Sequence, residues 1–421
     1  MSDVQVQRRR AIEALRAGVP NRDAVQALGS LQTAVEYCFD ELLKGFAAMA
    51  SGSDRPQGMV INGGFGTGKS HLLEYLQHRA LDARFVVSKV VVSKETPLYD
   101  PVKLVKAAAQ AARVPGKAGA GLQEVALGLR PDSKAYADLF RWCSAPDIGI
   151  NGRFAASLYL YEYLKGGDEE FLDTIVRFWS GEPIRVPELR SRLKDAGQSG
   201  TFTFSSAPER LLAMERLRFL PRLVQAAGYA GWILLIDEVE LIGRYSVLQR
   251  AKSYAEVARL MLGPNEDLAV PVGAVLACTD DFGAEVLQPS GKDDLEMVPR
   301  RLLQRQTVED EVLAARANIG MQLLDRDAMV LQPPDYEELD RTYERLKQVH
   351  GEAYDWSPPD VVGIERLGTN RMRQYVRAWI NEWDLRRLDP GYQPDIEVDE
   401  LGFDYTEDRD LEKPSAESDA T

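Results

Sequence analysis

Residues 63–70 read Gly63-Gly64-Phe65-Gly66-Thr67-Gly68-Lys69-Ser70 and satisfy the pattern G-x-x-x-x-G-K-[ST] in full. Glycines at these positions permit a loop whose backbone N–H groups point inward at a phosphate. The lysine of this motif reaches β- and γ-phosphate oxygens, and its serine hydroxyl binds Mg²⁺. The stretch therefore predicts a nucleoside triphosphate site at residues 63–70. We include His71 in this site as a packing residue of the first helical turn.

The residues on either side have the pattern that a phosphate-binding loop requires. Residues 58–62 read as a short apolar strand, and residues 69–83 read as a helix with leucines on one face. A Gly-rich turn between a strand and a helix directs the positive N-terminal end of that helix toward the phosphate. We therefore interpret residues 58–83 as the strand, loop and helix of an α/β nucleotide-binding fold.

A second apolar stretch, residues 232–236, ends in two acids, Asp237 and Glu238. Uninterrupted apolarity is typical of a central strand that is buried on both faces. Asp237 is predicted to hold Mg²⁺ together with Ser70. Glu238 is predicted to be the base that orients or deprotonates the attacking water. Glu240 follows nearby, and we expect it to be a solvated surface residue.

The acidic pair also bears on the reaction and the nucleotide. Many P-loop kinases of small molecules lack a glutamate directly after the aspartate, so the pair favours hydrolysis coupled to motion. The sequence contains no Asn-Lys-x-Asp motif, which would read guanine. ATP is therefore favoured over GTP.

Two positions beyond this strand are candidates for contacting the γ-phosphate. The strand Val272–Cys278 ends at Thr279, a polar residue that can contact the attacking water or the phosphate. Arg300 or Arg301 can stabilise transition-state charge as an arginine finger. We name Arg301 for this role, and the alternative is a basic helix start paired with surface acids.

The last long helix, read as residues 370–388, carries Arg371 near its start. An arginine at that point can reach back to the γ-phosphate, so we predict Arg371 as a nucleotide sensor, with Arg373 as the next candidate. Apolar residues recur along the same helix at helical spacing and indicate core packing.

The order of the elements predicts the fold class and the domain organisation. Strands alternate with helices in the first part of the core, which indicates a mostly parallel sheet covered on both faces. Lys69 and Asp237 are separated by far more chain than two βα units of about 30 residues each need. We therefore predict an α/β P-loop NTPase with a parallel central sheet, a helical insertion and a C-terminal helical lid domain. The predicted units are an N-terminal helical segment (1–50), the first part of the core (51–115), the insertion (116–206), the second part of the core (207–306), the lid (307–393) and an acidic tail (394–421).

Composition restricts the compartment and the kinds of site. The chain has 421 residues, a formal net charge of -14 and three cysteines without a CxxC pair. Such a sparse, odd set argues against a disulfide framework and against structural zinc. No apolar signal core follows the N-terminus, and the longest apolar runs are too short to span a bilayer. We therefore expect a cytoplasmic protein with no membrane partner. The tail is rich in acids, so we expect it to be disordered.

The order of phosphate loop, acidic strand end, sensor strand and C-terminal arginine resembles that of AAA+ ATPases, especially the origin-recognition and signal-transducing branches. More narrowly, the chain is similar to the ATP-binding proteins of bacterial BREX-type phage-defence systems. Residues 9–22, 62–73 and 373–377 carry this likeness, which spans about residues 5–393. Only the phosphate-loop and acidic-strand motifs are sharply specific.

By this resemblance the protein is an AAA+-like, Mg²⁺-dependent ATPase that couples nucleotide state to a conformational change in an anti-phage defence complex, with residues 18–21 near the adenine. Its partners are then other defence-system proteins, such as a DNA methyltransferase, and whether DNA is also a partner stays open. The long insertion and the undecided arginine finger depart from the family pattern, so ring-type homo-oligomerisation stays open. Two alternatives also stay open: a nucleotide-gated scaffold with little turnover, and a DNA-stimulated translocase or loader.

Overall fold

The structure is a computed structural model that describes residues 2–30, 32–49, 54–119, 121–262, 272–361, 372–389 and 391–392. The predicted disordered tail and Arg371 lie outside these described residues. Within them, no helix has both the length and the apolarity that a membrane crossing demands.

Helices and strands alternate along most of the described chain. The elements before the middle of the chain are α1 (Asp3–Ala17), α2 (Arg22–Leu28), α3 (Thr33–Ala48), β1 (Met59–Asn62), α4 (Lys69–Asp82), β2 (Val86–Val91), α5 (Pro101–Gln110) and β3 (Ala112–Arg113). A helical stretch follows with α6 (Leu122–Leu127), α7 (Lys134–Ser144), α8 (Gly152–Leu164), α9 (Glu169–Trp179), α10 (Val186–Asp195) and α11 (Glu209–Ala226). The remaining elements are β4 (Trp232–Asp237), the 3-10 helix Val239–Arg244, α12 (Val247–Leu262), β5 (Val272–Cys278), α13 (Asp294–Leu303), α14 (Val308–Arg326), β6 (Ala328–Val330), α15 (Tyr336–Tyr354) and α16 (Met372–Leu388).

Within the described residues, six strands form one sheet in the order β3-β2-β4-β5-β1-β6. The pairs β6–β1, β1–β5, β5–β4 and β4–β2 are parallel, and β3 runs antiparallel to β2. This confirms the predicted α/β class with a mostly parallel sheet. Since β5 lies between β1 and β4, the carboxyl ends of these three strands lie side by side at one edge.

The two faces of the sheet belong to two hydrophobic clusters. Along β4, Ile233 and Leu235 pack with α3 and α4, whereas Leu234 and Ile236 pack with α5, α11 and α12 on the opposite face. Successive side chains of a strand point to opposite faces, so an uninterrupted apolar run suits a strand that is covered on both sides. The helices α6–α10 join the second of these clusters.

A third hydrophobic cluster is formed by both ends of the chain. It combines residues of α1 and α2 with residues of α15 and α16. The limits of the predicted units stay predictions.

Candidate active site

The loop between β1 and α4 leaves the N-terminus of α4 open. Gly66 and Gly68 have φ angles of +83° and +103°, in the left-handed region that glycine adopts most readily. Gly68 directly precedes α4, and no side chain of the described residues caps this helix start. The first backbone N–H groups of α4 therefore face the loop without an intrahelical partner, as an anion site requires.

Lys69, the first residue of α4, folds its side chain back over the loop. Its Nζ donates to the carbonyl oxygen of Gly63 and, at 3.2 Å, to that of Gly64. Thr67 closes the same loop, because its Oγ1 donates to the Gly64 oxygen at 2.9 Å. The Phe65 ring centre lies 6.0 Å from Nζ. The ammonium group thus lies at the loop, where the sequence predicts phosphate oxygens.

The hydroxyl of Ser70 donates a hydrogen bond to Oδ2 of Asp237 at 3.0 Å. Ser70 belongs to the first turn of α4 and Asp237 ends β4, so this contact joins motifs that are 167 residues apart. Asp237 is buried at the strand end. The structure therefore makes the two predicted metal-binding side chains neighbours.

These two oxygen donors suit Mg²⁺, which is usually bound in nucleotide sites by one or two protein ligands together with phosphates and water. Among the described residues, no group of three or more His, Cys, Asp or Glu side chains could hold a metal ion. A magnesium ion at Ser70 and Asp237 would therefore need phosphate oxygens and water to complete its coordination shell.

Glu238 has a left-handed backbone conformation, with φ of +59° and ψ of +38°. This conformation is uncommon for a residue other than glycine, and backbone of this kind is enriched at functional sites. The backbone N–H of Glu238 donates to Oδ1 of Asp237 at 3.0 Å. Partial desolvation and, to a smaller extent, the charge of Asp237 raise the pKa of the Glu238 carboxyl, while Lys69 opposes this shift. A raised pKa makes the carboxylate a better proton acceptor.

Glu240 is buried, with 4% of its surface exposed. The expectation of a solvated surface residue is wrong, because the 3-10 helix after β4 packs against β5 and α12 and carries this side chain inward. Among the described residues, Oε2 of Glu240 has no hydrogen-bond partner. Burial raises the pKa of Glu240 to about 7, and Lys69 opposes the shift. A third carboxyl group thus lies close to the Asp237–Glu238 pair.

The carboxyl end of β5 lies against the phosphate loop. The carbonyl oxygen of Cys278 accepts a hydrogen bond from the N–H of Gly63 at 3.1 Å. Thr279, the next residue, is buried. The Asp280 carboxylate lies 3.4 Å from the point where a Cβ on Gly64 would stand. The structure thus brings Thr279 to the strand-end edge that also carries the loop and Asp237, and its role as a sensor stays a prediction.

A cavity opens between the phosphate loop, α4 and the helices of both chain ends. Its walls include Leu15, Gly18, Pro20, Gly29, Thr67, His71, Gln332, Thr342, Met372, Arg373 and Val376. Mostly apolar walls with a few polar groups are typical of small-molecule sites. Gly18 and Pro20 belong to the segment that the resemblance predicts to lie near adenine.

His71 connects the first turn of α4 to the segment between α2 and α3. Its Nε2 lies 2.8 Å from the carbonyl oxygen of Gly29. Burial lowers the pKa of His71 below its ordinary value, so the ring is neutral at neutral pH. Because a carbonyl oxygen only accepts hydrogen bonds, the neutral ring carries its hydrogen on Nε2. Its place in the nucleotide site stays a prediction.

Of the two arginines predicted near the start of the last helix, only Arg373 lies within the described residues. Its backbone N–H donates to the carbonyl oxygen of Gly66 at 3.2 Å. Its side chain passes beside Gly18, with Nε 3.7 Å from the point where a Cβ on Gly18 would stand. Arg373 therefore touches both the phosphate loop and the end of α1.

Arg300 and Arg301 are exposed in the last turn of α13. The alternative of a basic helix start is wrong about their position, since both residues lie where the helix ends, but its pairing with surface acids is confirmed for Arg300. Arg300 forms a surface ion pair with Glu296, with a separation of 3.7 Å. The role of Arg301 as a finger stays a prediction.

Comparison with protein families finds one that fits most of the chain. Residues 4–118 and 153–382 match the family described as BREX system ATP-binding protein BrxC/D. The matched residues include the phosphate loop, Asp237, Glu238 and Thr279. No curated protein and no solved structure matches the chain.

Proposed function

The chain belongs to the BREX system ATP-binding protein BrxC/D family, and we propose that it binds MgATP through residues 63–70 and hydrolyses it. The observation that carries this proposal is the 3.0 Å hydrogen bond between Ser70 and Asp237. It supports a single site in which the phosphate loop and the acidic strand end face the same metal ion.

In this proposal the loop and Lys69 hold the β- and γ-phosphates. The N–H groups at the start of α4 and the ammonium of Lys69 stabilise the charge that spreads over the γ-phosphate oxygens in the transition state. A magnesium ion bound by Ser70 and Asp237 would offset the charge of the same oxygens.

Glu238 is the proposed base for hydrolysis. Its carboxylate takes a proton from water while the water oxygen bonds to the γ-phosphorus. The bond between the γ-phosphorus and the bridging oxygen breaks, which yields ADP and inorganic phosphate. Thr279 is proposed to contact the water or the phosphate, Arg301 to stabilise transition-state charge, and Arg371 to sense the nucleotide.

We propose that adenine occupies the cavity beside the loop, where Gly18 and Pro20 form part of the wall. Helices α15 and α16 border the same cavity and act as the lid of an AAA+-like core. Opening and closing of this cleft with turnover would then change the shape of the protein.

Membership of the family makes other proteins of the BREX system the expected partners. We propose that the conformational change acts on them within a cytoplasmic anti-phage complex. A DNA methyltransferase, DNA and a second copy of the chain are the partners to test first.

Release of inorganic phosphate from the full chain tests the proposal. The wild type should hydrolyse MgATP, and Glu238→Gln should bind ATP but lower kcat by about 100-fold or more, because a general base contributes about 10²–10⁴-fold. The exposed Glu344→Gln is the matched control. Equal, near-zero rates in wild type and Glu238→Gln, with ATP still bound, would support the scaffold instead. Turnover that DNA stimulates in a steeply salt-dependent manner would support the translocase.

A further inference from the structure

The helices of the two chain ends form one body with its own hydrophobic core. We call α1, α2, α15 and α16 the composite unit. Its buried core includes Ile12, Leu15, Ala24, Val349, Trp379 and Trp383. This cluster is distinct from the two clusters that cover the sheet.

Polar contacts also connect the N-terminal to the C-terminal helices of the composite unit. Arg8 forms an ion pair with Glu352 at 2.7 Å, and Arg16 forms one with Asp384. The guanidinium of Arg345 donates to the carbonyl oxygen at the end of α2 at 2.8 Å. Because they share a core and are joined by ion pairs and a hydrogen bond, α1–α2 and α15–α16 are expected to move together.

The chain passes between the composite unit and the sheet at adjacent places. One crossing follows α2, the other follows β6, and Nε2 of Gln32 in the first donates to the carbonyl oxygen of Gln332 in the second at 3.4 Å. Gly29 in the first crossing has φ of +74° and ψ of −154°, a region that only glycine enters readily. Hinges consist of a few loop or element-terminal residues, so we call these two neighbouring crossings the hinge of the composite unit.

A single turn of α4 touches both the acidic strand end and this hinge. Ser70 donates to Asp237, and His71 donates to the carbonyl oxygen of Gly29. Consecutive helix residues project in directions about 100° apart, so neighbours can contact opposite partners. A displacement of this turn by the bound phosphates would therefore displace the hinge as well.

We propose that the composite unit moves as one body about the paired crossings, and that the hydrogen bond from His71 to Gly29 transmits the state of the phosphate site to it. This inference rests on the proposed function, because it requires a triphosphate at residues 63–70. His71 is a positioning residue in this scheme, since it acts through the hinge and leaves the chemistry to Glu238. A hydrogen bond that merely stabilised the fold would be equally strong in both nucleotide states. It would therefore not shift the equilibrium between the two positions of the composite unit.

A distance measurement between two spin labels on the full chain tests the inference. One label goes on Glu344→Cys in α15 and the other on Glu311→Cys in α14, both at exposed sites. The background carries Cys38→Ser, because Cys38 is partly exposed and would react with the spin label. Cys143 and Cys278 are buried and are kept. Distances are compared without nucleotide and with Mg²⁺ plus saturating non-hydrolysable ATP analogue.

The analogue should shift the distance in the otherwise wild-type background. His71→Gln should keep the shift, because its amide N–H reaches the position of Nε2, whereas His71→Leu should lose it at saturation. An unchanged shift in His71→Leu, or an equal loss in His71→Gln, overturns the inference. If His71→Leu does not fold, His71→Asn replaces it with the same expected loss, since its amide is too short to reach the Gly29 oxygen.

Calorimetry of the wild type separates this inference from the proposed function. If the wild type does not bind the analogue, the proposed function and the inference both fail. If it binds without a change in the distance, only the inference fails.

Discussion

Arg250 and Asp294 form a bidentate ion pair inside the protein, with Nε 2.8 Å from Oδ2 and NH2 3.0 Å from Oδ1. Both side chains are buried, and the Tyr254 hydroxyl donates to the same carboxylate at 2.7 Å. NH1 of Arg250 also donates to the carbonyl oxygen of Tyr245 at 2.6 Å. The pair thus ties α13 to α12 and to the end of the 3-10 helix that carries Glu240.

Asp294→Asn should strongly destabilise the protein, because it leaves the buried charge of Arg250 unpaired. Removing one partner of a buried pair costs about 3–5 kcal/mol. Glu296→Gln is the matched control two residues away, since its exposed pair with Arg300 contributes about 0–1 kcal/mol. Thermal or urea unfolding measures both variants. Equal midpoints for the two would contradict a stabilising role of the buried pair.

The buried carboxyl of Glu240 should make stability depend on pH. Burial raises its pKa to about 7, so between its ordinary value and pH 7 the folded protein holds a proton that the unfolded chain has released. Protonated Glu240 therefore makes its full contribution to the free energy of unfolding below the pKa of the unfolded chain. That contribution is lost as pH rises through about 7. Glu240→Gln removes this titration and should become more stable relative to wild type as pH rises, by about 3 kcal/mol at most.

Unfolding midpoints measured between about pH 5 and about pH 8, without Mg²⁺ or nucleotide, check this dependence. Glu296→Gln serves again as the control, because its side chain is largely exposed. A constant difference between Glu240→Gln and wild type at every pH would show that Glu240 does not titrate there.

The parts of the site that sequence could predict are those encoded by contiguous residues. The phosphate loop is a single run of eight residues, and Asp237 directly ends an apolar strand. The burial of Glu240 could not be predicted. The sequence around a glutamate is the same whether a 3-10 helix turns its side chain outward or inward. The 3-10 helix begins only at Val239, so no helical spacing from Asp237 indicates where Glu240 lies.

Other features had no local signal at all. The edge strands β3 and β6 have two and three residues, too few to display an alternating pattern. The contact between α1 and α15 joins residues more than 300 positions apart, as Arg8 and Glu352 illustrate. An amphipathic pattern predicts that one face of a helix is buried, but it does not identify the element that packs against that face.

Ser70→Ala should weaken the response of ATP turnover to Mg²⁺. Loss of the hydroxyl removes one of the two proposed metal-binding side chains, so the Mg²⁺ concentration for half-maximal turnover should rise by roughly tenfold or more. Ser70→Thr keeps a hydroxyl at the same place and should restore the wild-type response. A titration of turnover with Mg²⁺ at fixed ATP measures this, and equal curves for Ser70→Ala and wild type would remove Ser70 from the metal site.

Filling the cavity should weaken ATP binding, because it removes space for adenine. The contacts of the phosphates with residues 63–70 should remain. Met372 lines the cavity at the start of α16, so Met372→Trp should raise the KM for ATP by about tenfold, which corresponds to about 1.4 kcal/mol, and change kcat little. Leu388→Trp, at the exposed end of the same helix, is the control and should behave as wild type. Inorganic tripolyphosphate has no base, so its inhibition constant should be the same for Met372→Trp and wild type. A parallel loss of tripolyphosphate and ATP binding would instead indicate that the substitution disturbs the phosphate loop, which Arg373 contacts through Gly66.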